Sequence, residues 1–254
     1  MLSVVNGYDF WNKKMIQGLI HIHTSFSYDS SMSIEELKDF CERKGYRFVA
    51  ITEHREGMNP TRMNEFVEKC QMVSDSSFFC IPGLEFSCKG NIHILGLGIK
   101  EYFDGDNPKE IVECIHIKEG LAILAHPGRK EYELPKDLLS TLDGIEIWNE
   151  MYDGRFIPRI DIFERAKRIN PNLLAFSGVE LHSLSQSVTL SLIMNDDKNI
   201  LKALKKGDFR IIGGLLSFSS SPRFRMYEKA WFCLVRCLYD MARKIKRSVS
   251  AAVV

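Results

Sequence analysis

No Cys-x-x-C pair occurs among the seven cysteines, Cys41, Cys70, Cys80, Cys88, Cys114, Cys233 and Cys237. A zinc-ribbon site is therefore not expected. The count is odd, and several of the seven fall at apolar positions of helical patterns. They read as reduced core residues of a cytoplasmic protein. No apolar run approaches the ~18 residues that a membrane span requires. A signal peptide is also missing, because Tyr8, Asp9, Trp11 and Asn12 interrupt any hydrophobic stretch near the start. Charge of one sign is lacking too: 34 Lys and Arg stand against 33 Asp and Glu, a net charge of +1. Stable binding of duplex nucleic acid or of a membrane is not expected from such a balance.

The 254 residues are 45% hydrophobic and 26% charged, which suits a globular chain. Strand and helix signals alternate over about 190 residues, from Gly18 onward. Ser33 with Glu36 forms a capping box before a helix that stops at Gly45. Asn59-Pro60 and Asn107-Pro108 repeat a helix-start signal with Pro in the first turn. Short apolar runs such as Phe48–Ile51 and Leu121–Ala125 suit strands buried on both faces. Lys89-Gly90 suggests a hairpin. The alternation implies a mainly parallel sheet, and nearly seven units suit a closed barrel of the TIM type, with its active site at the strand C-termini.

Six of the seven histidines fall on or at the ends of the expected strands, and only His116 lies in a helical pattern. His21-Ile22-His23 places two imidazoles on one strand face by the two-residue repeat. His54, Glu85, His126, Glu180 and His182 end further strands, and His93 lies within one. Histidine and carboxylate converging on one face are suited to zinc, manganese or iron.

These segments resemble the polymerase and histidinol phosphatase (PHP) family of metal-dependent phosphoesterases. The matching stretches are His21-Ile22-His23 with Ser25 to Asp29, Ile51-Thr52-Glu53-His54, Pro82-Gly83-Leu84-Glu85, Asn91 to Gly96, Ala125-His126-Pro127 and Gly178 to His182. The resemblance implies a distorted α/β barrel of the (β/α)7 type with two or three divalent metal ions, Zn, Mn or Fe. It implies that His21, His23 and Glu180 hold a first metal and that Glu85 bridges to a second held by His93 and His126. Asp29, His54 and His182 would hold a third. Glu85, His93 and Glu180 would then carry the metal-mediated catalysis. Two positions depart from the family pattern: Glu53 and Glu180 stand where Asp is usual. Glu53 is expected to hydrogen-bond to the site rather than ligate.

The implied activity is hydrolysis of a phosphomonoester of a small metabolite or nucleotide by a metal-bound hydroxide. The alternatives are a phosphodiesterase or exonuclease on short oligonucleotides and a non-catalytic metal-binding regulatory module. Arg129 and Arg155 lie on loops after strands and are candidates for phosphate recognition, or for surface ion pairs. Three segments are expected: an extension over 1–17, a metal-binding barrel over 18–215, and a C-terminal helical segment over 216–254 packed on the barrel. In that helix Ala230, Leu234, Cys237, Leu238, Met241 and Ile245 form the expected docking face. Arg236, Arg243, Lys244, Lys246 and Arg247 form a basic side, with recognition of a partner or acidic lipid as its lesser reading. Nothing in the sequence fixes an oligomeric state.

Overall fold

The computed structural model describes residues 15–127, 135–154, 157–196 and 199–252. Arg129 and Arg155 lie outside them, as does most of the N-terminal extension. The first half of the chain runs β1 (Met15–Ile22), α1 (Ile34–Lys44), β2 (Phe48–Ile51), β3 (Glu53–His54), α2 (Pro60–Val73), β4 (Phe79–Ile81), β5 (Gly83–Cys88), β6 (Ile92–Leu97) and α3 (Pro108–Ile117). It continues with β7 (Leu121–Leu124), α4 (Lys136–Leu139), β8 (Gly144–Asn149), α5 (Glu150–Asp153), α6 (Ile160–Ile169) and β9 (Leu174–Gly178). The last elements are β10 (Leu190–Asn195), α7 (Ile200–Lys206), β11 (Phe209–Gly213), β12 (Leu216–Ser219) and α8 (Met226–Ala252).

The helix boundaries follow the local chemistry. Ser33 and Glu36 make both bonds of the capping box on α1, and Gly45 ends that helix in the left-handed conformation. Asn59 and Asn107 cap α2 and α3 with side-chain bonds to the first turn, each followed by proline. Strands β2 and β7 are buried along their whole lengths, which explains their unbroken apolar sequences, and β8 is equally buried although it carries Glu146 and Asn149.

The fold is α/β with two mixed six-stranded sheets, ordered β12-β11-β10-β1-β2-β4 and β3-β5-β6-β7-β8-β9. The closed, mainly parallel barrel is not what these ladders form. Five pairings are parallel, and β1–β10, β10–β11, β11–β12, β5–β6 and β6–β7 are antiparallel. β5 turns directly into β6 through Lys89–Asn91 and β11 directly into β12, short connections that permit antiparallel pairing. β6–β7 and β10–β11 are antiparallel although α3 and α7 lie between them, so the alternation of strand and helix does not fix the pairing direction. The sheets meet at the site end of β1. There Val179 N–H donates to Ile20 O at 3.1 Å, His23 N–H to Leu181 O at 2.9 Å, and Thr52 N–H to Ile22 O at 2.8 Å.

Helix α8 packs on the domain, but by a different face from the expected one. Phe232 is buried against Phe218 and Phe224, Lys229 pairs with Glu164 at 2.7 Å, and Arg236 reaches the carbonyls of Asp153 and Ile157. Leu234, Leu238 and Met241 instead point to solvent, 54, 54 and 48% exposed. Helical spacing identified an apolar stripe, but the docking side was chosen by the polar contacts of Lys229 and Arg236. The cysteines divide likewise: Cys41, Cys70 and Cys88 are buried, whereas Cys233 and Cys237 are exposed on α8. Strand β12 was not anticipated, and residue 215 is an expected boundary that falls inside the β11–β12 hairpin. No helix among the described residues is long and apolar enough to cross a membrane.

Candidate metal centre

The nine expected ligands converge on one cleft. His21 comes from β1, His54 from β3, Glu85 from β5 and His93 from β6, while His126, Glu180 and His182 follow β7 and β9. His23 and Asp29 lie on the loop after β1. Two clusters suited to a cation emerge among the described residues: His21, Glu85, His126 and Glu180, and His23, Asp29, His54 and His182. Grouping by distance thus places His23 with the second cluster, although its Nε2 is also 3.4 Å from Glu85 Oε2. His93 lies in neither cluster, and its Nδ1 is 2.7 Å from Glu85 Oε1.

Both His21 and His23 face the cleft, but not through simple strand alternation. His21 adopts a positive φ of 64°, and the β1–β2 register slips between Ile20 and Ile22. This bulge re-aims the imidazole. His126 and Glu180 also have positive φ, 27° and 51°. Three ligand candidates therefore sit in a backbone region that costs of order 1–3 kcal/mol per residue and persists only where packing enforces it.

The donor atoms fit metal ions. His21 Nε2 lies 3.5 Å from Glu85 Oε2 and 3.4 Å from Glu180 Oε1, and His126 Nε2 lies 3.2 Å from Glu180 Oε1. Asp29 Oδ2 is 3.1 Å from His54 Nε2 and 3.2 Å from His182 Nε2. Ligands ~2.1 Å from a tetrahedral ion are roughly 3.4 Å from one another. The buried atoms His21 Nε2, His23 Nε2, His54 Nδ1 and Glu85 Oε2 have no well-formed hydrogen bond among the described residues. Burying such atoms unpartnered is costly, and a cation would satisfy them together.

Outer contacts set the imidazole tautomers. His182 Nδ1 is 2.8 Å from the Glu180 carbonyl, and His21 Nδ1 is 2.7 Å from Glu146 Oε1. Each acceptor requires Nδ1–H, which leaves the Nε2 lone pair for ligation. Glu146 was not singled out from the sequence. It is fully buried in the middle of β8, and its other oxygen accepts from His126 N–H at 2.7 Å and from Asn149 Nδ2 at 3.0 Å. The signal was there: a carboxylate inside Ile145-Glu146-Ile147, in a strand that is otherwise apolar. Gly178 makes room for it, since a Cβ at that position would collide with Glu146 Oε1.

Glu53 is buried, and it accepts from Thr24 N–H at 3.0 Å, from the Thr24 hydroxyl, and from Ser27 Oγ at 2.5 Å. Ser27 Oγ in turn accepts from His54 N–H and lies 3.3 Å from His23 Nδ1. Glu53 thus organises the loop that carries His23 and Asp29, and it belongs to neither cluster.

Electrostatics favour a cation here. Burial opposes protonation of His21, but the carboxylates of Glu180, Glu146 and Glu85 outweigh it and hold this imidazole well above its ordinary value. His23 is held well below, by burial together with its neighbours His21, His54 and His182, against the pull of Glu85. Burial pushes Glu85 up, yet the charge of His21, the bond from His126 and the nearby His54 keep it well below the carboxylate range.

The cleft encloses about 270 Å³ and is lined at its mouth by Tyr28, Ser87, Met151 and Tyr152. The Tyr28 ring stacks on His54 at 4.9 Å and Tyr152 lies 4.9 Å from His126.

A family profile described as the PHP domain matches residues 20–232. No curated protein matches the chain in sequence. Among solved structures, a two-domain protein from Bacteroides vulgatus ATCC 8482 containing a predicted PHP-like metal-dependent phosphoesterase is similar at 14% identity. That match has a TM-score of 0.63 and covers 82% of this chain and 67% of the other. A lesion-specific endonuclease from Pyrococcus furiosus is similar at 17% identity and a TM-score of 0.55, over 77% of this chain and 56% of the other. An amidohydrolase from Chromobacterium violaceum gives 15% identity and a TM-score of 0.53, over 76% of this chain and 96% of the other. At these identities the likeness is one of fold.

Proposed function

Because this chain belongs to the PHP domain family, we propose that it is a metal-dependent phosphoesterase that hydrolyses a phosphomonoester of a small molecule. The observation that carries the reading is the set of buried, unpartnered donor atoms on His21, His23, His54 and Glu85, at ligand spacing around one cleft. His21, Glu85, His126 and Glu180 would hold one divalent ion, and His23, Asp29, His54 and His182 another; His93, whose Nδ1 faces Glu85 Oε1, would serve a further ion. When bound, such ions neutralise charge on a phosphate and make water nucleophilic near neutral pH.

The protein's own residues supply the rest. Glu146 fixes His21, and Glu53 fixes the His23–Asp29 loop, so the donors are held in place before substrate arrives. Tyr28, Met151 and Tyr152 narrow the mouth and would contact the leaving group. A cleft of about 270 Å³ is slightly below the ~300 Å³ at which pockets begin to take drug-sized ligands. That size suits a phosphoryl group with a small ester. Arg129 and Arg155 remain proposed phosphate contacts on sequence grounds.

The test is phosphate release from a panel of phosphomonoesters and dinucleotides, with added manganese or zinc and a His126→Ala control. Metal-dependent release from monoesters, lost in the control, is the expected result. Cleavage of dinucleotides alone would assign the site to phosphodiesters. Metal-loaded protein that turns over nothing would favour a regulatory metal-binding module.

A further inference from the structure

Glu146, Asn149 and Asp153 are fully buried polar residues on β8 and α5, and none is a ligand candidate. Burial of such groups requires partners, and their bonds form one chain leading outward from the metal centre. Glu146 Oε1 lies 2.7 Å from His21 Nδ1, and Asn149 Nδ2 donates to Glu146 Oε2 at 3.0 Å. Asn149 N–H donates to Asp153 Oδ2 at 2.9 Å. The last link is Arg236 of α8, whose Nη2 donates to Asp153 Oδ1 at 3.3 Å.

Arg236 does more than face Asp153. Its Nη1 donates to the carbonyls of Asp153 at 3.1 Å and Ile157 at 3.4 Å, and its Nε to Asp240 Oδ2 at 3.2 Å. One rigid guanidinium fork thus serves four acceptors, which a flexible lysine does not reproduce. Helix α8 also closes on the next residue, since a Cβ at Gly154 would lie 2.9 Å from the Tyr239 hydroxyl oxygen. The other end of α5 is pinned to β10, where the Glu150 carboxylate accepts from Thr189 N–H at 2.8 Å and Leu190 N–H at 3.2 Å. Between these anchors α5 carries Met151 and Tyr152 to the mouth of the cleft. Asn149 Oδ1 accepts from both of their N–H groups, at 3.2 and 3.3 Å.

We propose that Arg236 is a positioning residue of the metal centre. By holding Asp153 it fixes Asn149. Through Asn149 it fixes Glu146 behind His21 and the turn that seats Tyr152 beside His126. Helix α8 is then part of the support of the site and not only a flank of the domain. The inference rests on the reading of this cleft as a metal-dependent phosphoesterase site. Burial gives the link its strength. The Asp153 side chain is fully buried and that of Arg236 is 12% exposed, so salt screens the pair little and removing one partner strands the other.

The experiment is zinc affinity of the full chain by chelator competition, for the native protein, Arg236→Met and Lys229→Met. Each variant removes a contact that docks α8, Lys229 through Glu164 at 2.7 Å, but only Arg236 leads to Asn149. Arg236→Met should lower zinc affinity at the His21 cluster about 3- to 30-fold, and Lys229→Met should leave it unchanged. The double variant Arg236→Met, Glu146→Gln should bind zinc no more weakly than Glu146→Gln alone, because the first change acts through the second residue. Should Arg236→Met fail to fold, Asp153→Asn cuts the same chain, since its single carbonyl oxygen cannot accept from both Asn149 and Arg236. It should show the same loss at the His21 cluster, and native affinity there would overturn the proposal. Equal losses in the two α8 variants would also overturn it and leave the helix a purely structural support, as would losses that add in the double variant. Unchanged affinity in Arg236→Met, beside a native chain that binds zinc, would sink this inference alone. A native chain that takes up no zinc would sink the reading of the cleft and the inference with it.

Discussion

Replacing Glu146 with Gln should weaken metal binding at the His21 cluster without unfolding the protein. Glu146 Oε2 accepts from His126 N–H at 2.7 Å and from Asn149 Nδ2 at 3.0 Å, while Oε1 faces His21 Nδ1 at 2.7 Å. A glutamine has one carbonyl oxygen, and the two donors claim it. Its NH2 group then points at His21 Nδ1 and requires that atom to accept. The imidazole must carry its proton on Nε2 instead, which removes the lone pair that would bind metal. Loss of such an outer contact typically costs 10–100-fold in metal affinity, or about 1.4–2.8 kcal/mol. The assay is competition against a calibrated chelator, with metal content measured per chain. The bonds of Glu146 go to His21, His126 and Asn149, so the His23 cluster should keep its affinity. Unchanged affinity at both clusters would refute the tautomer argument. A fall in the melting temperature of the metal-free protein, matching the affinity loss, would show instead that Glu146 is only structural.

Three further outcomes follow from the same geometry. Gly178→Ala should reproduce the metal loss of Glu146→Gln, because its Cβ would collide with Glu146 Oε1; chelator competition on both variants compares them. Glu180→Asp should lower activity and first-cluster affinity by at least about tenfold. Its carboxylate now sits 3.2 Å from His126 Nε2 and 3.4 Å from His21 Nε2 and would withdraw by about one bond length; equal or higher turnover would contradict this. Burial raises the Asp153 carboxyl from 3.8 to about 6, against the bond from Asn149 and the charge of Arg236. The folded state therefore holds this proton more tightly than the unfolded one, and stability falls as pH rises through that window. Urea melts should show Asp153→Asn gaining on the native chain by about 3 kcal/mol between about pH 4 and pH 7, and a pH-independent difference would refute it.

Much of the site was legible because metal ligands must be His or carboxylate, and strand ends gather them. His126 could be placed from a short apolar run that it follows directly and His54 from a run that ends three residues before it, whereas Glu85 lies inside β5 rather than at a strand end. The bulge at His21 was not legible, since alternation predicts the same convergence by another route. Glu146 escaped because a buried carboxylate inside an apolar strand has no local signature of its partner; His21 lies 125 residues away. The parallel barrel was over-read because strand–helix alternation does not fix pairing direction: α3 lies between β6 and β7 and α7 between β10 and β11, yet both pairs are antiparallel. On α8, periodicity located the apolar stripe, but which face meets the domain depended on Glu164 and the backbone around Asp153.

The most direct measurement is metal content and phosphate release on the same preparation, as metal is returned to chelator-stripped protein. Turnover of a small phosphomonoester should be absent without metal and rise as the two clusters fill. Protein that binds metal at both clusters yet releases no phosphate from any ester, or that turns over fully while stripped, would contradict the reading of this cleft as a metal-dependent phosphoesterase site.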